Sequence, residues 1–272
     1  MNLADRAALL LGVPVAQQSP VAGGDLSQVL AVDFDDGSVA IVKSGPRPEV
    51  EAKMLRAIRA TGAAAPAVLA CDESILVIER LPSYGRLEDA WQDLGVQLSR
   101  LHRLHATDRC ASRYGWDDDY AFAAFAIENT WSNDWPSFWA SRRLLPHARF
   151  VEAGLAARLE RLAARLAEFL PARPDASLLH GDLWGGNVVV AGSSISGLID
   201  PACYYGDREV DFAMLSMFNR PESDLFAVCP QLAQGHEARL PIYQLWPALV
   251  HLRLFGASYR SLVESLLAAT GF

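Results

Sequence analysis

Two polar runs set a short distance apart constrain this chain more than any other feature. They read His180-Gly181-Asp182-Leu183-Trp184-Gly185-Gly186-Asn187 and Ile199-Asp200-Pro201-Ala202-Cys203-Tyr204-Tyr205-Gly206-Asp207-Arg208-Glu209. Between them, Val188-Val-Val-Ala191 and Ile195-Ser-Gly-Leu-Ile199 flank a Gly192-Ser-Ser turn. Short apolar runs around such a turn read as two paired strands. A hairpin returns the chain to its starting point, so Asp200 is predicted to lie beside Asn187. Asp and Asn next to glycine often do no more than make turns. Here a His-Gly precedes one acid and an apolar strand precedes the other, and turn-making alone does not call for that.

The spacing carries chemical meaning. Kinase catalytic loops place a base Asp and a metal-binding Asn as Asp-x-x-x-x-Asn, and a further Asp binds the nucleotide's Mg²⁺. Asp182 and Asn187 reproduce that interval, and Asp200 is the third oxygen donor. The pattern points to phosphotransfer.

At 272 residues and 51% apolar, the chain can bury a sizeable core as one large domain or two tightly joined lobes. A formal net charge of −8 argues against general nucleic-acid affinity and against an anionic membrane surface. It does not argue against ATP, which needs only local cations and Mg²⁺. Cys71, Cys110, Cys203 and Cys229 are widely spaced with no C-x-x-C pair, so reduced thiols are expected rather than a zinc cluster or disulfide framework. No apolar run reaches transmembrane length. The expectation is a soluble, cytoplasmic protein.

Asn2, with Asp5 three residues later and Gly12 beyond, reads as a capped first helix. Val29–Phe34, Asp35-Asp36-Gly37 and Ser38–Lys43 form a β-hairpin pattern. Residues 49–62 have helical periodicity and end on Gly62. Pro66–Leu69 and Ile75–Arg80 supply further strands, and Pro82–Gly85 marks a crossing. Beyond it the chain is mainly helical, with stripes at Leu94, Leu98, Leu101 and Leu104 and at Leu155, Leu159, Leu162, Leu166 and Phe169. Ile242–Leu254 and Tyr259–Ala269 read as closing helices. The expected fold is α+β and bilobal, protein-kinase-like. A small antiparallel β-rich lobe over residues 1–82 precedes a larger, mainly helical lobe over 83–272.

The first lobe offers candidates for the nucleotide. Gly23-Gly24 precede the hairpin, where backbone N–H groups can approach phosphates. Lys43 ends the next strand at the place of a phosphate-pairing lysine, on the face it shares with Val39 and Ile41. Either Glu49 or Glu51, at the start of the following helix, can pair with it. Glu79 to Leu81 end the last strand, where backbone groups could meet an adenine ring.

With these residues in place, the chain resembles the fructosamine kinase (ketosamine kinase) family, a branch of the aminoglycoside-phosphotransferase-like kinases. The resemblance rests on Leu179–Asn187, Ile199–Glu209, Asn129-x-Trp131 with Asp134-Trp135 and Phe138, Tyr243-Gln244-Leu245, and Leu254-Phe255-Gly256. It implies Asp182 as base, Asn187 and Asp200 as Mg²⁺ ligands, and Lys43 on the ATP phosphates with Glu51 as its partner. It also implies phosphorylation of a sugar hydroxyl on a small-molecule or protein-linked ketosamine. Gly185 stands where the family usually has Ser. Tyr120–Glu128 replaces a more polar loop and bears on the acceptor.

Trp184 lies inside the catalytic loop and, with Trp131 and Tyr204, is a candidate to hold the sugar. Trp116 and Trp135 read as core. Tyr205 could join an aromatic wall, and Asp117-Asp118-Asp119 reads as an acidic surface loop. His102 and His105 read as polar-face residues, Asp211 as a brace for the catalytic loop, and Cys203 as packing. Other readings are a kinase of an aminoglycoside or amino sugar, a nucleotide-binding pseudokinase, and a nucleic-acid module. The four polar residues Lys43, Asp182, Asn187 and Asp200 oppose the pseudokinase, and the acidic balance opposes the nucleic-acid module. A monomer or weak dimer is expected.

Overall fold

The computed structural model describes residues 2–21, 27–103, 113–229 and 232–272. Helix α1 (Leu3–Leu11) starts and stops where its sequence dictates. Asn2 Oδ1 accepts the Asp5 N–H at 2.8 Å, and the Asp5 carboxylate accepts the Asn2 N–H at 3.4 Å. Those contacts satisfy amides that a helix start leaves unpaired. Gly12 ends the helix at φ 71°.

Five strands follow, with one helix between the third and fourth: β1 (Val15–Pro20), β2 (Val29–Phe34), β3 (Val39–Ser44), α2 (Pro48–Ala60), β4 (Val68–Cys71) and β5 (Ile75–Glu79). They form an antiparallel sheet in the order β1-β2-β3-β5-β4. Period-two alternation sorts the two faces. Val32, Ala40, Val42 and Val77 pack with Ala4 and Ala7 of α1. Leu76 and Ile78 pack with Met54, Leu55 and Ile58 of α2. Lys43 stands opposite Leu76, which puts its side chain on the α2 side. The sequence pattern does not reveal β1. Its Val-Ala-Gln-Gln-Ser-Pro run has little apolar alternation because the strand lies exposed at the sheet edge, where proline is tolerated.

The second part comprises α3 (Trp91–Leu101), β6 (Tyr120–Phe122), β7 (Phe125–Ile127), α4 (Trp135–Phe138), α5 (Ala153–Ala164), β8 (Ala176–Leu179), β9 (Val188–Ala191), β10 (Ser194–Leu198), β11 (Tyr204–Asp207), α6 (Glu209–Phe218), α7 (Ser223–Val228), α8 (His236–Phe255) and α9 (Arg260–Ala269). Its strands pair two by two: β6 with β7, β8 with β11, and β9 with β10. Leu94, Leu98 and Leu101 are buried on α3, while Leu104 lies outside the described residues. The other leucine stripe is buried through Leu166, but Phe169 is exposed because α5 ends at Ala164 and a 3₁₀ turn rotates it outward. At the centre, Trp135 Nε1 donates to Tyr243 OH at 2.9 Å, and that hydroxyl donates to Asp207 Oδ2 at 2.8 Å. That chain of bonds satisfies the indole N–H of Trp135 and the hydroxyl of Tyr243 inside the core.

The crossing between the two parts is pinned. The N–H groups of Tyr84 and Gly85 both donate to Val190 O, at 3.0 and 2.9 Å. The N-terminal sheet is thus tethered to the β9–β10 hairpin, which carries one motif residue at each end.

Candidate active site

The loop between β8 and β9 is shaped by a single buried carboxylate. Asp211 accepts the His180 N–H on Oδ2 and the Gly181 N–H on Oδ1, both at 2.9 Å, and His102 Nε2 lies 2.9 Å from Oδ2. Burial opposes the charge of Asp211, but these donors win and hold its pKa below the ordinary carboxylate value. Gly181 adopts φ +79°, and a Cβ there would sit 2.1 Å from Ala202 O, so only glycine fits this turn. His180 Nε2 donates to Ile199 O at 3.0 Å, which ties the loop to the strand that delivers Asp200.

Hairpin β9–β10 does what its sequence suggests. Val188 pairs with Leu198 across it, and the Ile199 N–H donates to Asn187 O at 3.0 Å. Asp200 follows with φ +54°, a left-handed backbone that short polar residues tolerate and that marks constrained sites. Asn187 Nδ2 donates to Asp182 O at 2.8 Å and to Asp182 Oδ2 at 3.0 Å. The two loop residues are therefore locked together.

Lys43 meets them from the sheet. Its Nζ is 2.8 Å from Glu51 Oε1 and is hydrogen-bonded to Asp200 Oδ1. Burial works against the ammonium charge, but Glu51 and Asp200 more than offset it, so the pKa is raised and Lys43 stays charged. The partner is Glu51; Glu49 is exposed. Asp182 has the opposite balance. Burial, with further repulsion from Asp200 and Asp211, outweighs the Asn187 hydrogen bond and pushes its carboxyl up to about 7. A carboxyl poised near neutrality in a cleft has the profile of a proton acceptor.

These groups open into one cavity of about 490 Å³, lined by Lys43, Glu51, Asp182, Asn187 and Asp200 together with Tyr120 and Trp184. Trp184 is 41% exposed, and its ring folds over Gly186, where a Cβ would lie 2.3 Å from it. Not every expected residue arrives here. Gly23 and Gly24 lie outside the described residues. Glu79 and Leu81 do not line the cavity; Leu81 rests on the β9–β10 hairpin, against Gly197.

Tyr204 and Trp131, expected to hold the sugar, do not line the cavity. Tyr204 is fully buried, with the Arg143 guanidinium 4.1 Å from its ring centroid, and serves as core beneath the loop. Trp131 donates from Nε1 to Asp117 at 3.0 Å and its ring lies 6.0 Å from that of Tyr205, away from the cavity. His102 is no polar-face residue either: its side chain is buried against Asp211. His105 lies outside the described residues. The Asp117–Asp119 run is structural: Asp118 pairs with Lys53 at 2.8 Å and Asp119 accepts the Asn129 N–H at 2.8 Å.

A lysine–glutamate pair facing an Asp/Asn/Asp set is the layout of a phosphotransfer cleft, and the family comparison decides which one. The sequence model for fructosamine kinase matches residues 7–270. The chain belongs to the fructosamine kinase family. A probable ketoamine kinase of Escherichia coli (strain K12) is 35% identical over 206 residues, covering 72% of this chain and 69% of that one. A chloroplastic protein-ribulosamine 3-kinase of Arabidopsis thaliana is 31% identical over 200 residues, covering 70% of this chain and 60% of its own length. A crystal structure from Thermobifida fusca YX-ER1, provisionally named a fructosamine-3-kinase, superposes with a TM-score of 0.86 at 29% identity, covering 99% and 98% of the two chains.

In this fructosamine kinase fold the structure adds one residue that the sequence did not single out. Tyr120 OH donates to Glu51 Oε2 at 3.2 Å, from a strand that also lines the cavity. Lys53, two residues further along α2, pairs with Asp118 just ahead of that strand. Hairpin β6–β7 therefore holds the helix that carries Glu51. The only trace in the sequence is a tyrosine opening an apolar run, which does not identify a partner 69 positions away.

Proposed function

We propose that this chain transfers the γ-phosphoryl group of ATP to a sugar hydroxyl of a ketosamine. The observation that carries the reading is the convergence of Lys43–Glu51, Asp182–Asn187 and Asp200 in one cavity, in a chain of the fructosamine kinase family. The relative named protein-ribulosamine 3-kinase supports a ketosamine as acceptor.

Asp182 accepts the hydroxyl proton as that oxygen attacks phosphorus. The new O–P bond forms, the bond from phosphorus to the β,γ-bridging oxygen breaks, and ADP leaves. Lys43, held by Glu51, neutralises the nucleotide phosphates and the charge on the departing ADP. The donor set fits Mg²⁺: a carboxylate at Asp200 and an amide carbonyl at Asn187 are hard oxygens. Asn187 spends its amide N–H groups on Asp182, which leaves its carbonyl oxygen for a cation. Mg²⁺ bound there would shield the phosphate charge during transfer. Trp184 offers a flat apolar face beside Asp182, suited to a sugar ring. The boundary near residue 82 separates a nucleotide-holding part from an acceptor-holding part.

ATP consumption measured over fructosamines, ribulosamines, amino sugars and aminoglycosides tests this reading. Turnover is expected on ketosamines. Turnover on an aminoglycoside with none on any ketosamine overturns the acceptor.

A further inference from the structure

The cavity does not end at the reacting groups. Beyond Trp184 it continues along α6, α8 and the turn after α8, past Phe218, His251, Phe255 and Tyr259. These rings form one connected set. The Trp184 and Phe218 centroids lie 6.1 Å apart, Phe218 and His251 5.0 Å, His251 and Phe255 5.3 Å, and Phe255 and Tyr259 6.1 Å. Three of them are open to solvent: Trp184 at 41%, Phe218 at 37% and Phe255 at 44%. Large aromatics at such exposure, touching one another at the mouth of a cleft, mark a ligand-facing surface rather than spare core.

Charge is distributed unevenly along this cavity. Its acids are Glu51, Asp182 and Asp200, all at the catalytic end. The aromatic arm has no acid and no lysine or arginine among its described lining residues, and its one ionisable ring, His251, is turned to a backbone carbonyl. His251 Nδ1 donates to Pro247 O at 2.8 Å, and burial lowers its pKa, which favours the neutral ring. Such a surface repels nothing and pairs with no charge. It gains from whatever apolar area is laid on it.

Resting on the ketosamine reading above, we propose that this arm is a subsite for the amine substituent of the acceptor, and that it selects ketosamines of apolar, aromatic amines. The amine nitrogen of a ketosamine is bonded to C1 of the sugar. A sugar hydroxyl placed at Asp182 therefore leaves that nitrogen only a few atoms away, within reach of the carboxylates, and directs its substituent past Trp184. A hydroxyalkyl chain would leave the aromatic arm wet. A phenyl-bearing chain covers it and stacks edge-to-face or offset on Phe218 and Phe255.

The test is a set of fructose adducts that share one sugar and differ only in the amine: 2-phenylethylamine, Nα-acetyl-lysine and ethanolamine. In the unaltered protein, kcat/KM is expected to be about tenfold or more higher for the phenylethylamine adduct than for the ethanolamine adduct, as burial of one phenyl group implies. Phe255→Ala and Phe218→Ala remove exposed rings and are expected to lower that ratio at least about threefold, with melting temperatures near the parent's. Equal kcat/KM across the three adducts, or a ratio that neither variant moves, overturns the subsite and leaves the ketosamine reading standing. Phosphorylation of none of the adducts overturns both.

Discussion

Two charge clusters, one closed and one open to a cavity, sit within a few residues of each other and are built to opposite ends. Around Asp211 every contact is spent internally. The carboxylate receives His180 N–H, Gly181 N–H and the His102 ring, and both histidine and acid side chains are closed to solvent. Around Asp182 the protein leaves its charges facing a cavity. Asp200 is half exposed, Lys43 is shared between two acids, and the carboxyl of Asp182 is pushed up to about 7. The first cluster holds a backbone shape. The second holds unspent electrostatic capacity, and such capacity is what a charged ligand draws on. The two clusters thus divide by whether the central acid's partners are all in the chain.

Removing the closed cluster's centre should have the largest effect. Asp211→Ala strips two loop amides and an imidazole of their acceptor. The cost of breaking a buried set of this kind is about 3–5 kcal/mol, a large share of a domain's stability. Thermal melting should show a steep drop or no folded protein. A melting curve matching the parent's would mean that Asp211 is not a brace.

The open cluster should respond in ligand binding instead. Asp200→Ala is expected to leave the fold intact and to abolish the gain in nucleotide affinity that Mg²⁺ brings, since the cation loses its carboxylate. Isothermal titration with and without Mg²⁺ reads this directly. If the metal tightens binding as much as in the parent, Asp200 is not its ligand.

A smaller change probes the join between the two halves of the cleft. Tyr120→Phe removes one hydrogen bond to Glu51, worth about 1 kcal/mol, and should lower kcat/KM for ATP roughly fivefold with little change in melting temperature. An unchanged kcat/KM would show that Lys43–Glu51 is held without help from β6.

Local chemistry was legible in the sequence and distant pairing was not. The capping box of Asn2 and Asp5, the β2–β3 hairpin and the return of Asp200 beside Asn187 each follow from residues a few positions apart. Asp211 was readable as a brace, an acid two residues beyond the second run. The burial of His102 was hidden, because it depends on a partner 109 residues away. Tyr204 and Tyr205 look equivalent as letters, but neighbours on a strand point to opposite faces. Tyr204 therefore entered the core, and Tyr205 stacks at 6.0 Å on Trp116. Trp131 went with Tyr205 rather than with the cavity. The aromatic arm beyond Trp184 was invisible for the same reason, since it assembles from three separate segments.

If Asp182 is held as a base at some expense to stability, Asp182→Asn should separate activity from stability. The folded carboxyl lies at about 7 and the ordinary value is 3.8. Between those values the folded state binds the proton more tightly than the unfolded one, so folding stability falls as pH rises from about 4 to 7 and stays reduced above that. An uncharged Asn escapes this loss. The variant should therefore melt at or above the parent's temperature at pH 8, with the difference gone below pH 4, while phosphoryl transfer to a fructosamine falls by about 10²–10⁴-fold. Near-parental turnover would show that Asp182 is not the base, and a variant that melts well below the parent at pH 8 would show that its carboxyl is not held at a cost to stability.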